Sequence, residues 1–312
     1  MKNVKKAMAM VLSMALAAST LVVGAAYDDV PQTHENKVAI DLLGDLGVMV
    51  GDADSNNFRP EGTLKRSEAA AIVYRLRTGN TKADAYAGNT KFSDVSSNHW
   101  ACGYINYAVS VNIISGYPDG TFKPDNEVTY AEFATMLVRA LNKQEVESVQ
   151  TWNPDTGVLE TQDIPKTTFP AGYLAIAEEE GITNDIPSYG PNEPVVRATV
   201  AQMSYNTIFE AEYLNEVGKP NNYGNDASDI RTIASAVFKI EDYKGILGAL
   251  EDYNLYGDKT GDDQFLLYDK DGSKISLPEN EFEGLTKDML GQEVKVYIKT
   301  SPPLWIRATW LP

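Results

Sequence analysis

The apolar positions of this 312-residue chain change period twice. At the start, residues 7–23 form a mainly apolar run behind Lys2, Lys5 and Lys6, and Gly24-Ala25-Ala26 closes it. A positive leader, an apolar stretch and small residues predict a secretory signal peptide over 1–26, cleaved before Tyr27. After it the pattern turns helical. Phe133, Met136, Leu137, Ala140 and Leu141 stand at i, i+3, i+4, i+7 and i+8, which is one buried helix face. From Ala227 onward the apolar runs shorten to strand length. Residues 236–240, 245–249, 264–268, 274–277 and 293–298 read as five short strands with turn signals between them. They predict a small barrel or sandwich over 227–312.

The helical stripe occurs three times. Residues 124–132 read PDNEVTYAE, residues 60–68 read PEGTLKRSE, and residues 191–199 read PNEPVVRAT. Ala69, Ile72, Val73 and Leu76 continue the first copy, and Val200, Met203 and Ile208 the third, where Ser204 and Thr207 weaken the stripe. A second helix is predicted ahead of each loop. It carries Ala39, Ile40 and Leu43 in the first copy, Trp100, Tyr104, Ile105 and Ala108 in the second, and Tyr173, Leu174 and Ala177 in the third. Two copies open on a matching tetrapeptide, YDDV at 27–30 and FSDV at 92–95. One helix–loop–helix unit cannot cover its own apolar stripe, so the three units must pack on one another.

Local chemistry fits that reading. Pro118-Asp119-Gly120 is a turn signal, with proline presetting φ and glycine free to take positive φ. Thr129 and Glu132 form a capping box at a helix start. It is complete only in the middle copy, since Lys65 and Val196 replace the threonine and Thr199 the glutamate.

Charge narrows the partners. The chain carries a net charge of -17, and removing three signal lysines with no acids takes it to about -20. Clustered Lys and Arg are needed to hold phosphate backbones, so nucleic acid is excluded as a partner. No later segment reaches the roughly 18 apolar residues of a membrane span. A single cysteine, Cys102, rules out an internal disulfide framework and suits an exported protein of a Gram-positive surface.

The repeats resemble S-layer homology domains. The middle copy carries the resemblance: Phe92-Ser-Asp-Val95, Trp100-Ala101, GYPDGTFKP over 116–124, and Thr129-Tyr-Ala-Glu132. On that footing the units are 27–78, 90–142 and a degenerate third at 169–218, with an insertion over 143–168. The resemblance implies a mainly α, pseudo-threefold module of helix–loop–helix repeats around a central helical bundle. It also implies non-covalent attachment to the wall through a secondary cell-wall polymer, commonly pyruvylated, and self-association in a surface layer. The arginine credited with facing the acidic sugar falls at Arg66 and Arg197, and the middle copy departs with Tyr130. Guanidinium can hold a carboxylate by two parallel hydrogen bonds, which lysine cannot reproduce.

Each candidate has a plainer reading beside it. Arg66 and Arg197 either face ligand or are solvated first-turn residues. Trp100 either presents its indole to a sugar or plugs the space between repeats. Tyr130 either stacks on sugar or packs on a neighbour. Asp94 and Asp29 either cap their helices or touch ligand, and Gly116 either serves the backbone alone or also admits a sugar. The third copy and the first both lack the tryptophan, so one or two grooves at most are expected to be competent.

The remaining stretches are less informative. Residues 79–88 read as a short polar linker, residues 149–160 as a small hairpin, and residues 285–290 as one helical turn. Residues 219–226 mark the expected boundary. The last residues, 301–312, show no clear period, and either the barrel is read as incomplete or the chain as a shortened form of something larger. Two histidines, His34 and His99, sit in no metal or nucleophile motif, and the acid-rich residues 258–271 do not meet calcium-loop spacing. No cofactor, metal site or catalytic residue is expected. The alternative to an anchor is a wall-targeted glycan hydrolase whose catalytic part is the β module or is absent.

Overall fold

The computed structural model describes residues 27–143, 148–153, 158–163, 169–216, 219–220, 232–248, 264–268, 274–278, 282–283, 289–299 and 306–310. The expected signal peptide, the boundary residues 221–226 and the turn at 154–157 lie outside them. The chain divides into two compact units, one over residues 25–238 and one from residue 239 onward.

The first unit is built from three helix pairs. They are α1 (Lys37–Asp45) with α2 (Arg66–Thr78), α3 (Cys102–Ser110) with α4 (Tyr130–Ala140), and α5 (Ala171–Glu179) with α6 (Arg197–Phe209). The predicted apolar ladders are the buried faces: Phe133, Met136, Leu137 and Ala140 on α4, and Ile72, Val73 and Leu76 on α2, are all nearly inaccessible. On α6 the polar pair Ser204 and Thr207 is as buried as the apolar residues around it. Thr207 returns its hydroxyl to the Met203 carbonyl at 2.7 Å, which satisfies it inside its own helix.

Packing passes from each repeat to the next. Helix α2 lies on α3, α4 on α5, and α6 on α1. The first N–H groups of a helix lack partners within it, and here the next repeat's loop supplies them. Arg66 and Ser67 donate to the carbonyls of Asn126 and Pro124 at 2.9 and 3.0 Å. Tyr130 and Ala131 donate to Glu193 and Pro191 at 2.8 and 3.1 Å, and Arg197 and Ala198 to Gly62 and Pro60 at 2.8 and 2.9 Å. Single antiparallel bridges, Thr63 with Val196, Lys65 with Glu127 and Thr129 with Pro194, link the same loops. The third repeat thus bonds back to the first.

Three sequence readings are amended. Residues 79–88 are not a bare linker: Ala83 is buried, and Tyr86 inserts beside Tyr74 and Tyr107 with ring centroids 6.2 and 5.1 Å away. Residues 236–238 form part of a π-helical turn at Ala234–Phe238, not a strand. The closing residues contribute a strand, β10 (Ile306–Trp310), which pairs antiparallel with β9 (Glu293–Lys299). The insertion hairpin forms as read, β1 (Ser148–Asn153) against β2 (Val158–Asp163). A short bulged pair, β3 (Leu214–Glu216) with β4 (Lys219–Pro220), follows α6.

The second unit is a β unit. Its strands β5 (Ile240–Leu247), β6 (Gln264–Tyr268), β7 (Lys274–Pro278) and β8 (Phe282–Glu283) join β9 and β10 in the order β7-β6-β5-β9-β10-β8. Among the described residues this is one sheet, antiparallel except where β10 meets β8, rather than two facing sheets. Leu247, Leu267, Met289, Val294, Val296 and Ile298 form its apolar core.

Candidate functional site

Arg197 begins α6, and its guanidinium turns inward. The residue is 5% exposed. Its Nε donates to the Phe58 carbonyl at 2.7 Å, an Nη donates to the Val50 carbonyl at 2.8 Å, and the group lies over the Phe58 ring at 4.7 Å. No carboxylate pairs with it among the described residues. Burial pushes its pKa below the ordinary arginine value, with the charges of Glu68 and Asp52 opposing the shift and that of Arg59 adding to it. A cation held by carbonyl dipoles and short of a counter-charge is suited to an incoming carboxylate.

That guanidinium lines a cleft of about 180 Å³. Gly51, Asp52, Arg59, Glu68 and Arg75 come from the first repeat, and Trp100 from the second. All three repeats therefore contribute. Trp100 is 57% exposed, with His99 stacked beside it at 6.0 Å and Tyr104 tilted against it at 6.1 Å. Its indole is an open apolar face, not a plug between repeats. Arg75 lies over the Tyr104 ring at 5.6 Å, reaches the Val48 carbonyl at 3.4 Å, and keeps a buried Nε without a hydrogen-bond partner. Arg59 is held by Asp52 at 2.7 Å, while Glu68 accepts from the Lys65 N–H at 2.8 Å at the start of α2. At Gly51 a Cβ would sit 2.5 Å from the Asn57 carbonyl and 2.6 Å from Tyr27, so only glycine lets this wall close.

The other named residues are dispersed. Arg66 is also buried, so neither arginine is a solvated first-turn residue. It donates to the Phe122 carbonyl at 3.0 Å and pairs with Glu132 at 2.8 Å. Tyr130, in the same place on α4, stacks on Tyr189 with centroids 5.7 Å apart at 15°. Asp94 caps no helix; its two oxygens accept from the N–H groups of Phe122 and Lys123 at 2.8 and 2.7 Å. Asp29 does the same for Phe58 and Arg59 at 2.8 and 2.7 Å. Gly116 has φ +80°, and a Cβ there would meet Phe92 at 2.2 Å. These aspartates and this glycine fasten each opening tetrapeptide to its own loop.

Arg59, Glu68 and Arg75 were missed by the sequence reading. A signal did exist for one of them. Arg75 follows Arg66 by the same nine residues that separate Arg139 from Tyr130, and both long side chains reach back to the loop that precedes their helix. Arg139 binds the Ile113 carbonyl at 3.2 Å, as Arg75 binds that of Val48.

Residues 26–70 and 91–134 match the S-layer homology domain. Among similar proteins, a "Surface layer protein" of Brevibacillus choshinensis is 35% identical over 144 residues, 45% of this chain and 13% of that protein. A "Cellulosome-anchoring protein" of Acetivibrio thermocellus is 40% identical over 112 residues, 36% of this chain and 25% of that protein. A "Middle cell wall protein" of Brevibacillus brevis is 29% identical over 210 residues, 65% of this chain and 18% of that protein. The chain thus spans a quarter or less of the length of each of these curated relatives. Two matched repeats place S-layer homology domains at residues 26–70 and 91–134 of this chain, and the same loop-to-helix bonding carries into the third repeat.

Proposed function

We propose that this chain is exported and attaches non-covalently to the cell wall, its repeats forming a pseudo-threefold module around a central helical bundle. Its ligand is an acidic, pyruvylated secondary wall polymer, and the attachment requires no catalysis. The observation that carries this reading is the cleft at Arg197. It sets a buried guanidinium, paired with no carboxylate among the described residues, beside Arg75 and an exposed indole, so one sugar residue can meet both its carboxylate partner and an apolar stacking face. A molecule near -20 binds such a polymer through short contacts, because charges further off than about 8 Å are screened at physiological salt. The relatives' names support attachment and, more loosely, self-association in a surface layer.

The test is co-sedimentation of the mature chain with Gram-positive sacculi before and after chemical removal of the secondary polymer. Binding should disappear with the polymer, and Trp100→Ala should weaken it without unfolding the chain. Equal binding to stripped walls would overturn the ligand assignment.

A further inference from the structure

The two histidines of the chain make the same set of bonds, one repeat apart. His34 and His99 each donate their own N–H to the carbonyl three residues back, Pro31 at 2.9 Å and Ser96 at 3.0 Å. Each carbonyl accepts from the first residue of a helix, Lys37 of α1 at 3.0 Å and Cys102 of α3 at 2.9 Å. Each imidazole Nδ1 accepts the N–H just before that helix, from Asn36 at 3.1 Å and from Ala101 at 3.1 Å. Neither Asn36 nor Ala101 caps its helix with a side chain of its own, so at both starts the imidazole is the side chain that serves the backbone.

A ring nitrogen that accepts carries no proton, so the neutral imidazole holds its proton on Nε2. A second proton has to enter at Nδ1, where it turns the acceptor into a donor facing a donor. Histidine is the side chain whose charge ordinarily changes between pH 5 and 8. The bond is therefore whole at the basic end of that range and is lost as pH falls through it.

The two starts differ in the residue that comes next. Glu35 follows His34, and Trp100 follows His99. The His99 ring stacks on the indole at 6.0 Å and 28°, and the indole lines the Arg197 cleft. One ring thus fixes both the backbone that carries Trp100 and a face of its side chain. Asp125, in the loop before α4, is a carboxylate within electrostatic reach of His99, and Lys65 holds it at 2.9 Å. Asp94, in the opening loop, is engaged by the Phe122 and Lys123 N–H groups, and Arg75 of α2 lies over Tyr104. Asp125 favours the charged ring, and the Ala101 N–H favours the neutral one.

We propose that His99 is a positioning residue of the cleft: as the neutral ring it holds Trp100 at the mouth, and its protonation releases the indole and weakens attachment to the wall in mild acid. This rests on the anchoring function proposed above. His34, with no aromatic residue after it, serves its helix alone.

Co-sedimentation of the full mature chain with polymer-bearing sacculi at pH 7.5 and pH 5.5 tests it, with melting curves at both values showing that each protein is folded. Wild-type affinity should fall about fivefold on acidification, the factor that corresponds to one capping bond of ordinary strength. His99→Asn keeps an acceptor, because an asparagine carbonyl reaches the N–H two residues on, and it takes up no proton in this range. It should bind more weakly than the wild type at pH 7.5, having lost the stacked ring, and equally at the two pH values. His99→Ala should bind at pH 7.5 no better than the wild type does at pH 5.5. His34→Asn should keep the full acid loss. A wild-type chain that binds alike at both pH values would overturn the inference, whether or not the variants fold. So would a His99→Asn variant that loses affinity in acid as the wild type does, which would assign the effect to the polymer or to another group and leave the anchor standing. Absence of wild-type binding at pH 7.5 would instead sink the anchoring reading, and this inference with it.

Discussion

Helices α4 and α6 begin with the same backbone and opposite side chains. The residue before α4, Thr129, has φ -82° and ψ 160°, and that before α6, Val196, has φ -85° and ψ 157°. The next N–H donates to a neighbouring loop carbonyl at 2.8 Å in both cases. Yet α4 starts with a capping box and a stacked tyrosine, and α6 with neither cap nor box and a buried arginine. The link from each helix start to a neighbouring loop therefore depends on the backbone, and the side chains are free to serve other ends. At α4 they stabilise; at α6 they leave a cation held by carbonyls, with no carboxylate paired to it among the described residues, at a cleft.

The sharpest way to break this comparison is to delete the cation. Arg197→Ala removes two charge-assisted hydrogen bonds and leaves the buried Phe58 carbonyl without its donor. A loss of about 3 kcal/mol is expected, since bonds to charged groups carry roughly 1.5–3 kcal/mol each and do not add fully. Urea unfolding of the variant checks it. An unchanged midpoint would mean that Arg197 serves the ligand only. Tyr130→Ala, at the corresponding place, should cost less, about 1.5 kcal/mol from a lost aromatic pair and part of its buried area. It should leave wall binding intact, which the same sedimentation assay reads. If Tyr130→Ala abolished binding, the division of labour between the two helix starts would be wrong.

How far the sequence foretold these starts depends on the distance over which each is determined. The helices were legible because the ladders of α2 and α4 are set by residues three and four apart. The capping box at Thr129 was legible for the same reason. The burial of Arg66 and Arg197 was not, because the carbonyls that bury them, Phe122 and Phe58, belong to other repeats 56 and 139 positions away. First-turn arginines look solvated until another loop closes over them. Asp94 misled in a similar way: an aspartate before a helix suggests a cap, but its acceptors are taken by loop N–H groups 28 and 29 residues on. In the β unit, β10 was missed because five residues after two prolines give too short an alternation to stand out. Residues 236–238 failed in the opposite sense, as a Val-Phe pair with strand propensity was drawn into a helical turn by tertiary context.

The caps allow the comparison to be sharpened in both directions. Thr129→Ala should lower stability by about 1 kcal/mol, since the Glu132 N–H loses the acceptor it now has at 3.3 Å. Val196→Thr should raise it by about 0.5 kcal/mol, because the backbone there already has the geometry of a cap and lacks only the oxygen. Thermal melting of the two variants decides the point. A destabilised Val196→Thr would show that the valine's apolar contacts outweigh an added cap.

The smallest effect lies at Tyr117, which joins the α4 start through Glu132. Burial, and then its hydrogen bond to the Glu132 carboxylate, raise the phenol from its ordinary value near 10 to about 12. Between those values the unfolded chain has lost a proton that the folded chain keeps. Stability from this contact is therefore complete below pH 10 and falls as pH rises toward 12. The ring is only partly buried, so screening holds the change to about 0.5 kcal/mol. Urea unfolding at pH 9 and pH 11 should show a smaller alkaline loss in Tyr117→Phe than in the wild-type chain. The start of α6 has Thr199 in place of Glu132, a hydroxyl 3.0 Å from the Tyr189 oxygen where α4 has a carboxylate. An alkaline loss in Tyr117→Phe equal to that of the wild-type chain would assign it to tyrosines at large and erase the last difference between the two helix starts.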